Sequence, residues 1–289
     1  MDEETPGADV FSGGFAVLMA VYRRDDPSLF ARALASVFDN TLQPSEVWVV
    51  ADGPLTSGLD EILLHFQAAH PDRLRIVRLE ENRGLARALN AGLQCIRLPW
   101  IVRADADDYN LPQRFAKLAK RLKAEPGLDL MSSAILELEP TGEKVAIRAV
   151  PETEPEIYRF ARSRNPFNHM AVAYRREKVL EVGGYPEIHL KEDYALWCLM
   201  LARKARVANL KEVLVHATAG RDMYRRRGGW KYARAEWAMQ RLLVACGLKS
   251  WWRAIMDGAT RAAVFLAPAA VRRLIYTLLL RRRPHGNAE

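Results

Sequence analysis

Cysteine is scarce in this chain: three in 289 residues, Cys95, Cys198 and Cys246. The number is odd, and no spacing among them matches a metal-binding or redox pair. That excludes a disulfide scaffold and a thiolate zinc site, and leaves free thiols in a reducing compartment. A basic leader is missing as well. The chain begins Met-Asp-Glu-Glu, acidic where a secretory signal would be basic, so a cytoplasmic location is expected. No internal repeat or low-complexity segment stands out, which sets aside solenoids and compositionally biased tails. Long apolar runs are absent from the C-terminal region. Its longest uncharged stretch, Ala262 to Val271, has ten residues, whereas a spanning helix needs about 20.

What is present fits a folded protein of ordinary composition, 49% hydrophobic and 27% charged. The length suits one large α/β domain with an appendage. Charge is unevenly spread. Residues 221–283 hold 15 Lys or Arg against 3 acidic residues, a net +12, while residues 1–220 carry −3. A mildly acidic body thus carries a strongly basic tail.

The first half alternates apolar runs with helical patterns. Phe15 to Val21 reads as a strand, and Pro27 to Phe38 as a helix with Pro27 at its first position. Val47 to Val50 is a buried strand ending at the turn Asp52-Gly53-Pro54. Leu59 to Ala69 is helical, Leu74 to Leu79 a strand, and Leu85 to Ile96 helical. Leu98 to Val102 is a fourth strand. This alternation predicts a doubly wound α/β sheet, mostly parallel, with ligand beyond the strand ends. Tyr22, Asp52, Asn82-Arg83 and Asp105 to Asp108 all follow strands and are expected to meet in one crevice. Beyond residue 129 the pattern changes. Leu130 to Leu138 and Lys144 to Val150 read as paired strands, 154–162 as a helix, and a strand ends at Tyr174. Asp193 to Lys204 is a helix with Leu196, Leu199 and Met200 on one face. Residues 229–282 read as two or three helices broken at Gly247, Pro268 or both.

The most telling stretch is Arg103-Ala104-Asp105-Ala106-Asp107-Asp108, which ends the fourth strand. Three crowded carboxylates repel one another and push toward protonation. A hard divalent cation, Mg2+ or Mn2+, relieves the conflict, and such ions share their coordination with substrate phosphates. The plain alternative is an acidic turn before the helix that begins near Pro112.

Several blocks together resemble family 2 glycosyltransferases. They are Val17 to Tyr22, Ser36-Val37-Phe38 with Asn40-Thr41 and Pro44, Val49 to Gly53, Glu81 to Ala86, and Ala88 to Gly92. Further along come Arg103 to Asp108, Pro112 with Arg114, Asn165-Pro166 with His169, Gly183-Gly184-Tyr185 and Glu192 to Trp197. The resemblance covers residues 15–220 and implies a GT-A fold with a nucleotide-binding half, 15–128, and an acceptor half, 129–220. Residues 1–14 form an N-terminal tail and 221–289 a basic helical extension. The implied activity is an inverting, metal-dependent transfer from a nucleotide-diphosphate sugar. By resemblance, Asp52 reads the nucleotide base and Arg83 contacts base or phosphate. Asp105 and Asp107 form the metal-binding DXD motif, with Asp105 also near the ribose, and Asp193 is the catalytic base. Uridine is the nucleotide that the family most often uses. Ala51 stands where many members carry a second aspartate. The Gln-x-x-Arg-Trp motif of processive synthases does not follow Asp193, which implies a single addition.

Each assignment has a structural counterpart. Asp193 at a helix start is kept ionised by the helix dipole, as a base requires, and equally suits a capping residue. Glu192 either orients the acceptor or sits in the first turn. Tyr22 either stacks on the base or packs beside the sheet. His169 either faces the acceptor or bonds within the core. A nucleotidyltransferase of similar fold would bring a glycine-rich basic loop after the first strand, where this chain has Tyr22-Arg23-Arg24-Asp25-Asp26. A non-catalytic scaffold has no need of Asp105, Asp107 and Asp193 together.

In the tail, Arg225-Arg226-Arg227, Arg272-Arg273 and Arg281-Arg282-Arg283 alternate with tryptophan and leucine. That pattern suits an interfacial helix, with arginines toward anionic lipid and tryptophans at the boundary. A cap packed on the domain is the alternative. No nucleic-acid motif accompanies the charge, which argues against a nucleic-acid partner. The combined expectation is a peripheral protein on the inner face of the cell membrane. Its acceptor would be a sugar on a polyprenyl diphosphate, as in capsule or exopolysaccharide assembly.

Overall fold

The structure, a computed structural model, describes residues 11, 13–139, 141–218 and 229–266. Its centre is β1 (Phe15–Val21), flanked in parallel by β2 (Glu46–Ala51) and β4 (Trp100–Arg103), with β3 (Leu74–Arg78) outside β2. Strands covered on both faces read as apolar runs, which is why β1, β2 and β4 are visible in the sequence, whereas β3, at the sheet edge, alternates. Along β1, Phe15, Val17 and Met19 enter one core, and Ala16 and Leu18 the other.

Helices α1 (Pro27–Phe38), α2 (Ser57–Ala69) and α4 (Arg114–Ala124) cover the first face, and α3 (Leu85–Cys95) lies on the second. Asp26 starts α1 by accepting the Ser28 and Leu29 amides, ahead of Pro27.

Beyond β4 the sheet turns mixed. Its order is β3-β2-β1-β4-β8-β6-β9-β5, with β7 paired to β6. Here β5 is Tyr109–Asn110, β6 Leu130–Leu138, β7 Lys144–Arg148, β8 Ala173–Arg175 and β9 Val207–Thr218. β8 runs antiparallel to both β4 and β6, whereas β9 is parallel to β6. The sequence pattern shows neither β5 nor β9. β5 is two residues long, and Lys211-Glu212 interrupts β9 where its register on β6 shifts.

Three short helices, α5 (Glu154–Ala161), α6 (Arg176–Glu181) and α7 (Glu192–Ala202), complete the second face. The single apolar face expected for α7 is too narrow a reading. Leu196, Trp197, Met200 and Leu201 face the sheet, while Tyr194, Ala195 and Cys198 pack on the C-terminal helices. Those are α8 (Trp230–Ala245) and α9 (Trp251–Leu266). The break between them falls at Gly247, whose φ of 67° ends α8, while Pro268 lies outside the described residues. No helix among the described residues is long and apolar enough to cross a membrane.

Candidate active site

The acidic stretch leaves β4 over two buried guanidinium groups. Arg103, 1% exposed, pairs with Asp105 and donates to the Leu18 carbonyl at 3.2 Å. Arg114 is fully buried, bonds the Asn110 side chain, and donates to the Arg103 carbonyl at 2.8 Å. Burial pulls the Arg114 pKa down to about 9. From the outer side, Ser36 Oγ accepts the Asn110 amide at 3.0 Å, Asn40 Oδ1 accepts the Phe115 amide at 3.1 Å, and the Thr41 amide donates to the Pro112 carbonyl at 2.8 Å. The loop is therefore fixed by side chains of α1 and its exit, which explains why those residue types stand there.

On this platform Asp105, Asp107 and Asp108 each bring a carboxylate oxygen to within 4.8 Å of the others. Asp108 Oδ1 accepts the Thr218 amide at 2.8 Å, whereas its buried Oδ2 has no hydrogen-bond partner. Burial first, then the charges of Asp105 and Asp107, raise the Asp108 pKa well above the usual carboxylate range. An orphaned buried oxygen beside two more carboxylates fits a hard divalent cation. Asp105, Asp107 and Asp108 are the residues that would hold one.

The sequence pattern did not single out Asp25, which the fold brings to this cluster. Its Oδ2 accepts the Tyr22 amide at 2.8 Å. Burial raises its pKa to about 7, and the charges of Asp107 and Asp105 add to the rise. Asp25 lies in the loop after β1, so the order of parallel strands was the one available signal.

Asp52, at the end of β2, is 5% exposed. Its carboxylate accepts the Arg83 amide at 2.7 Å, the Gly84 amide at 2.9 Å and the Asn82 side chain at 3.0 Å. The two strand exits expected to meet are thus bonded directly, with Asp52 pinning the Asn82–Gly84 turn. Gly53 is required between them. Its φ is 84°, and a Cβ there would fall 2.5 Å from the Asn82 nitrogen. Arg83 is exposed and pairs with Glu81 at 3.2 Å. Tyr22 is half-buried.

Glu192 and Asp193 occupy the first turn of α7. Asp193 Oδ2 accepts the Asn165 side-chain amide at 2.6 Å, and Oδ1 accepts the Tyr194 amide at 2.7 Å. Asp193 therefore sits inside the helix start, after Lys191 at the cap position. Burial and the neighbouring Asp193 charge raise the Glu192 pKa to about 7, and Asp105 contributes to the same rise. His169 is buried, with Nε2 3.2 Å from the Tyr185 hydroxyl and Trp197 beside it. Burial and the Arg103 charge lower its pKa, against Asp193 and Asp105. The Asp105 charge bears on both Glu192 and His169, so the cluster lies near the start of α7. Asn165 is the residue here that sequence reasoning left without a role. Arg272, Arg273, Arg281, Arg282 and Arg283 lie outside the described residues.

A nucleotide-type parallel half-sheet, an acidic cluster at its fourth strand exit and a nearby helix-start carboxylate define a GT-A glycosyltransferase. The chain belongs to glycosyl transferase family 2, whose model matches residues 16–184. An Escherichia coli UDP-Gal:alpha-D-GlcNAc-diphosphoundecaprenol beta-1,3-galactosyltransferase is 35% identical over 98% of this chain and 99% of its own. The Erwinia amylovora amylovoran biosynthesis glycosyltransferase AmsE is 35% identical, over 91% of this chain and 97% of its own. Among solved structures, Staphylococcus aureus TarS in complex with UDP-GlcNAc aligns with TM-score 0.65 at 16% identity, covering 93% of this chain and 76% of that one. The mannosyltransferase PcManGT from Pyrobaculum calidifontis, in complex with GDP-Man and Mn2+, aligns with TM-score 0.60 at 20% identity, covering 93% and 81%. At those identities the likeness is one of fold.

Proposed function

We propose that this glycosyltransferase moves a hexose from UDP, with inversion, to a sugar carried on a polyprenyl diphosphate, in surface-polysaccharide assembly. The observation that carries the reading is two neighbouring carboxylate groups, the Asp105-Asp107-Asp108 cluster and the Asn165-held Asp193 beside Glu192 and His169, on which the Asp105 charge bears. Asp52 and the turn it pins form the nucleotide end, with Arg83 and Tyr22 beside it. Asp193 accepts the proton of the acceptor hydroxyl as that oxygen attacks the anomeric carbon. The bond to the diphosphate breaks on the opposite side, so configuration inverts. A divalent cation held by the cluster would stabilise charge on the leaving diphosphate. Glu192, uncharged when protonated, orients the acceptor without repelling Asp193. His169 is a neutral wall between the two ends.

The lipid-linked acceptor draws support from the E. coli relative's printed activity. A second support is the surface of the C-terminal helices. Trp230, Trp251, Trp252 and Met256 are each more than half exposed, and Ile255 is 43% exposed. Trp251, Trp252, Ile255 and Met256 gather over the first turns of α9, whereas Trp230 lies beside its other end, and exposed apolar side chains of this kind suit a membrane interface.

The test is a donor panel of UDP-galactose, UDP-glucose and UDP-GlcNAc. Each is offered with a GlcNAc-diphospholipid acceptor, with Mn2+ or with chelator, and the product's anomeric configuration is read by NMR. Transfer that persists in chelator overturns the metal assignment. A retained configuration overturns the single displacement.

A further inference from the structure

We propose that Glu236 is a positioning residue for the transfer reaction, holding from the C-terminal helices both chain segments that orient Asp193. The proposal rests on Asp193 as the catalytic base.

Glu236 lies on α8, and its side chain is fully buried. One oxygen is 2.8 Å from Lys191 Nζ. The other is 3.3 Å from Arg261 of α9, and accepts the Gln240 side-chain amide at 2.6 Å. Lys191 caps α7 immediately before Glu192 and Asp193, and its ammonium sits 4.9 Å over the Tyr232 ring. The second Arg261 nitrogen donates to the Ser163 carbonyl at 2.6 Å. Ser163 is two residues before Asn165, whose amide fixes Asp193. A single carboxylate thus restrains the start of α7 on one side and the Asn165 loop on the other. Lys249 extends the network, donating to Gln240 at 2.9 Å and pairing with Asp257 at 2.7 Å.

Adhesion between α7 and α8 has a separate source. Tyr194, Ala195 and Cys198 pack on Met239, Leu243 and Leu248. A buried ion pair is often no more stabilising than apolar residues of similar volume. What the charged network adds is direction, because its hydrogen bonds and ion pairs fix where the two segments stand. Burial raises the Glu236 pKa, but Lys191 and Arg261 outweigh it and hold the group below its ordinary value. The carboxylate is charged and available to both partners at neutral pH.

Steady-state kinetics on the full chain test this, with UDP affinity and binding stoichiometry measured by calorimetry in Mn2+. UDP-galactose, or whichever donor of the panel turns over, serves as substrate. Glu236→Gln should lower kcat about 10-fold or more, since small misplacement of a reacting group is costly. Donor KM and UDP stoichiometry should stay within twofold. Lys191→Met should cost no more than Glu236→Gln, and the double variant no more than Glu236→Gln alone, because Lys191 acts through Glu236. Arg261→Met, at a position 32% exposed, leaves the fold intact if Glu236→Gln does not, and should lower kcat about 3-fold with donor KM unchanged. Unchanged kcat in Arg261→Met, or kcat and UDP stoichiometry falling together, overturns the proposal. Asp193→Asn run alongside separates the two ideas. Full turnover there removes the catalytic base and the proposal with it, whereas a dead Asp193→Asn beside active Glu236 and Arg261 variants removes the positioning role alone.

Discussion

Asn165 donates its side-chain amide to Asp193 at 2.6 Å, across 28 residues of chain. The bond leaves the Asp193 carboxylate fixed at the head of α7.

Asp193→Asn keeps the side chain's shape and removes its proton acceptance. Turnover should fall about 100-fold or more, the usual scale for losing a general base. UDP affinity in Mn2+ should remain near wild type. Calorimetry and single-turnover transfer check this. Loss of UDP binding in proportion to turnover places Asp193 in the donor site instead.

Asp107→Ala removes one charge from the crowded cluster but keeps the backbone carbonyl that Thr218 Oγ1 bonds at 2.5 Å. Less repulsion among carboxylates means the metal-free variant should melt at or above the wild-type temperature. Its thermal shift on adding Mn2+ with UDP should vanish, and transfer with it. A wild-type-sized shift in the variant takes Asp107 out of the metal site.

Glu192 makes stability depend on pH. Burial, then Asp193, raises its pKa from 4.5 to about 7. A carboxyl raised on folding contributes its full stability below about pH 4.5 and loses it as pH rises through about 7. The difference is worth at most about 3 kcal/mol. Glu192→Gln removes the titration. Melting temperatures of variant minus wild type, without metal, should therefore increase from pH 5 to pH 8. A flat difference shows that Glu192 is not so shifted.

Much of this site was legible because parallel strands deliver their chemistry at predictable places. Asp52 and Asn82-Arg83 follow neighbouring strands that the sheet order brings together, and the acidic cluster follows β4, on the other side of β1. The partners of those residues were not legible. That Asp52 is consumed in holding the Asn82–Gly84 turn depends on the close approach of Gly53, a three-dimensional fact. Likewise Asn90 exchanges two bonds with the Tyr185 backbone, at 2.8 and 2.9 Å, tying motif blocks 95 residues apart. In α7 the sequence carried a signal that a one-face reading passes over. Tyr194 to Ala202 contains no charged residue at all, and a helix apolar all round is buried on both sides.

Substitutions of tryptophan and of arginine should separate the apolar and electrostatic parts of the proposed membrane attachment. Trp251 and Trp252 open α9 with stacked rings 4.0 Å apart, 53% and 64% exposed. Replacing both with Ala should weaken binding to neutral and anionic vesicles alike, because it removes apolar area from the interface. Replacing Arg272, Arg273, Arg281, Arg282 and Arg283 with Gln should act differently. At about 1 kcal/mol for each charge before screening, five substitutions cost several kcal/mol on anionic vesicles and little on neutral ones. UDP binding should survive both sets, since every residue proposed for it precedes position 200. Vesicle flotation at two lipid compositions and two salt concentrations distinguishes the effects. Wild-type protein that ignores anionic vesicles, or an arginine variant that floats equally well with them, makes the basic tail a cap or a protein-binding site. The lipid-linked acceptor then rests on the E. coli relative alone.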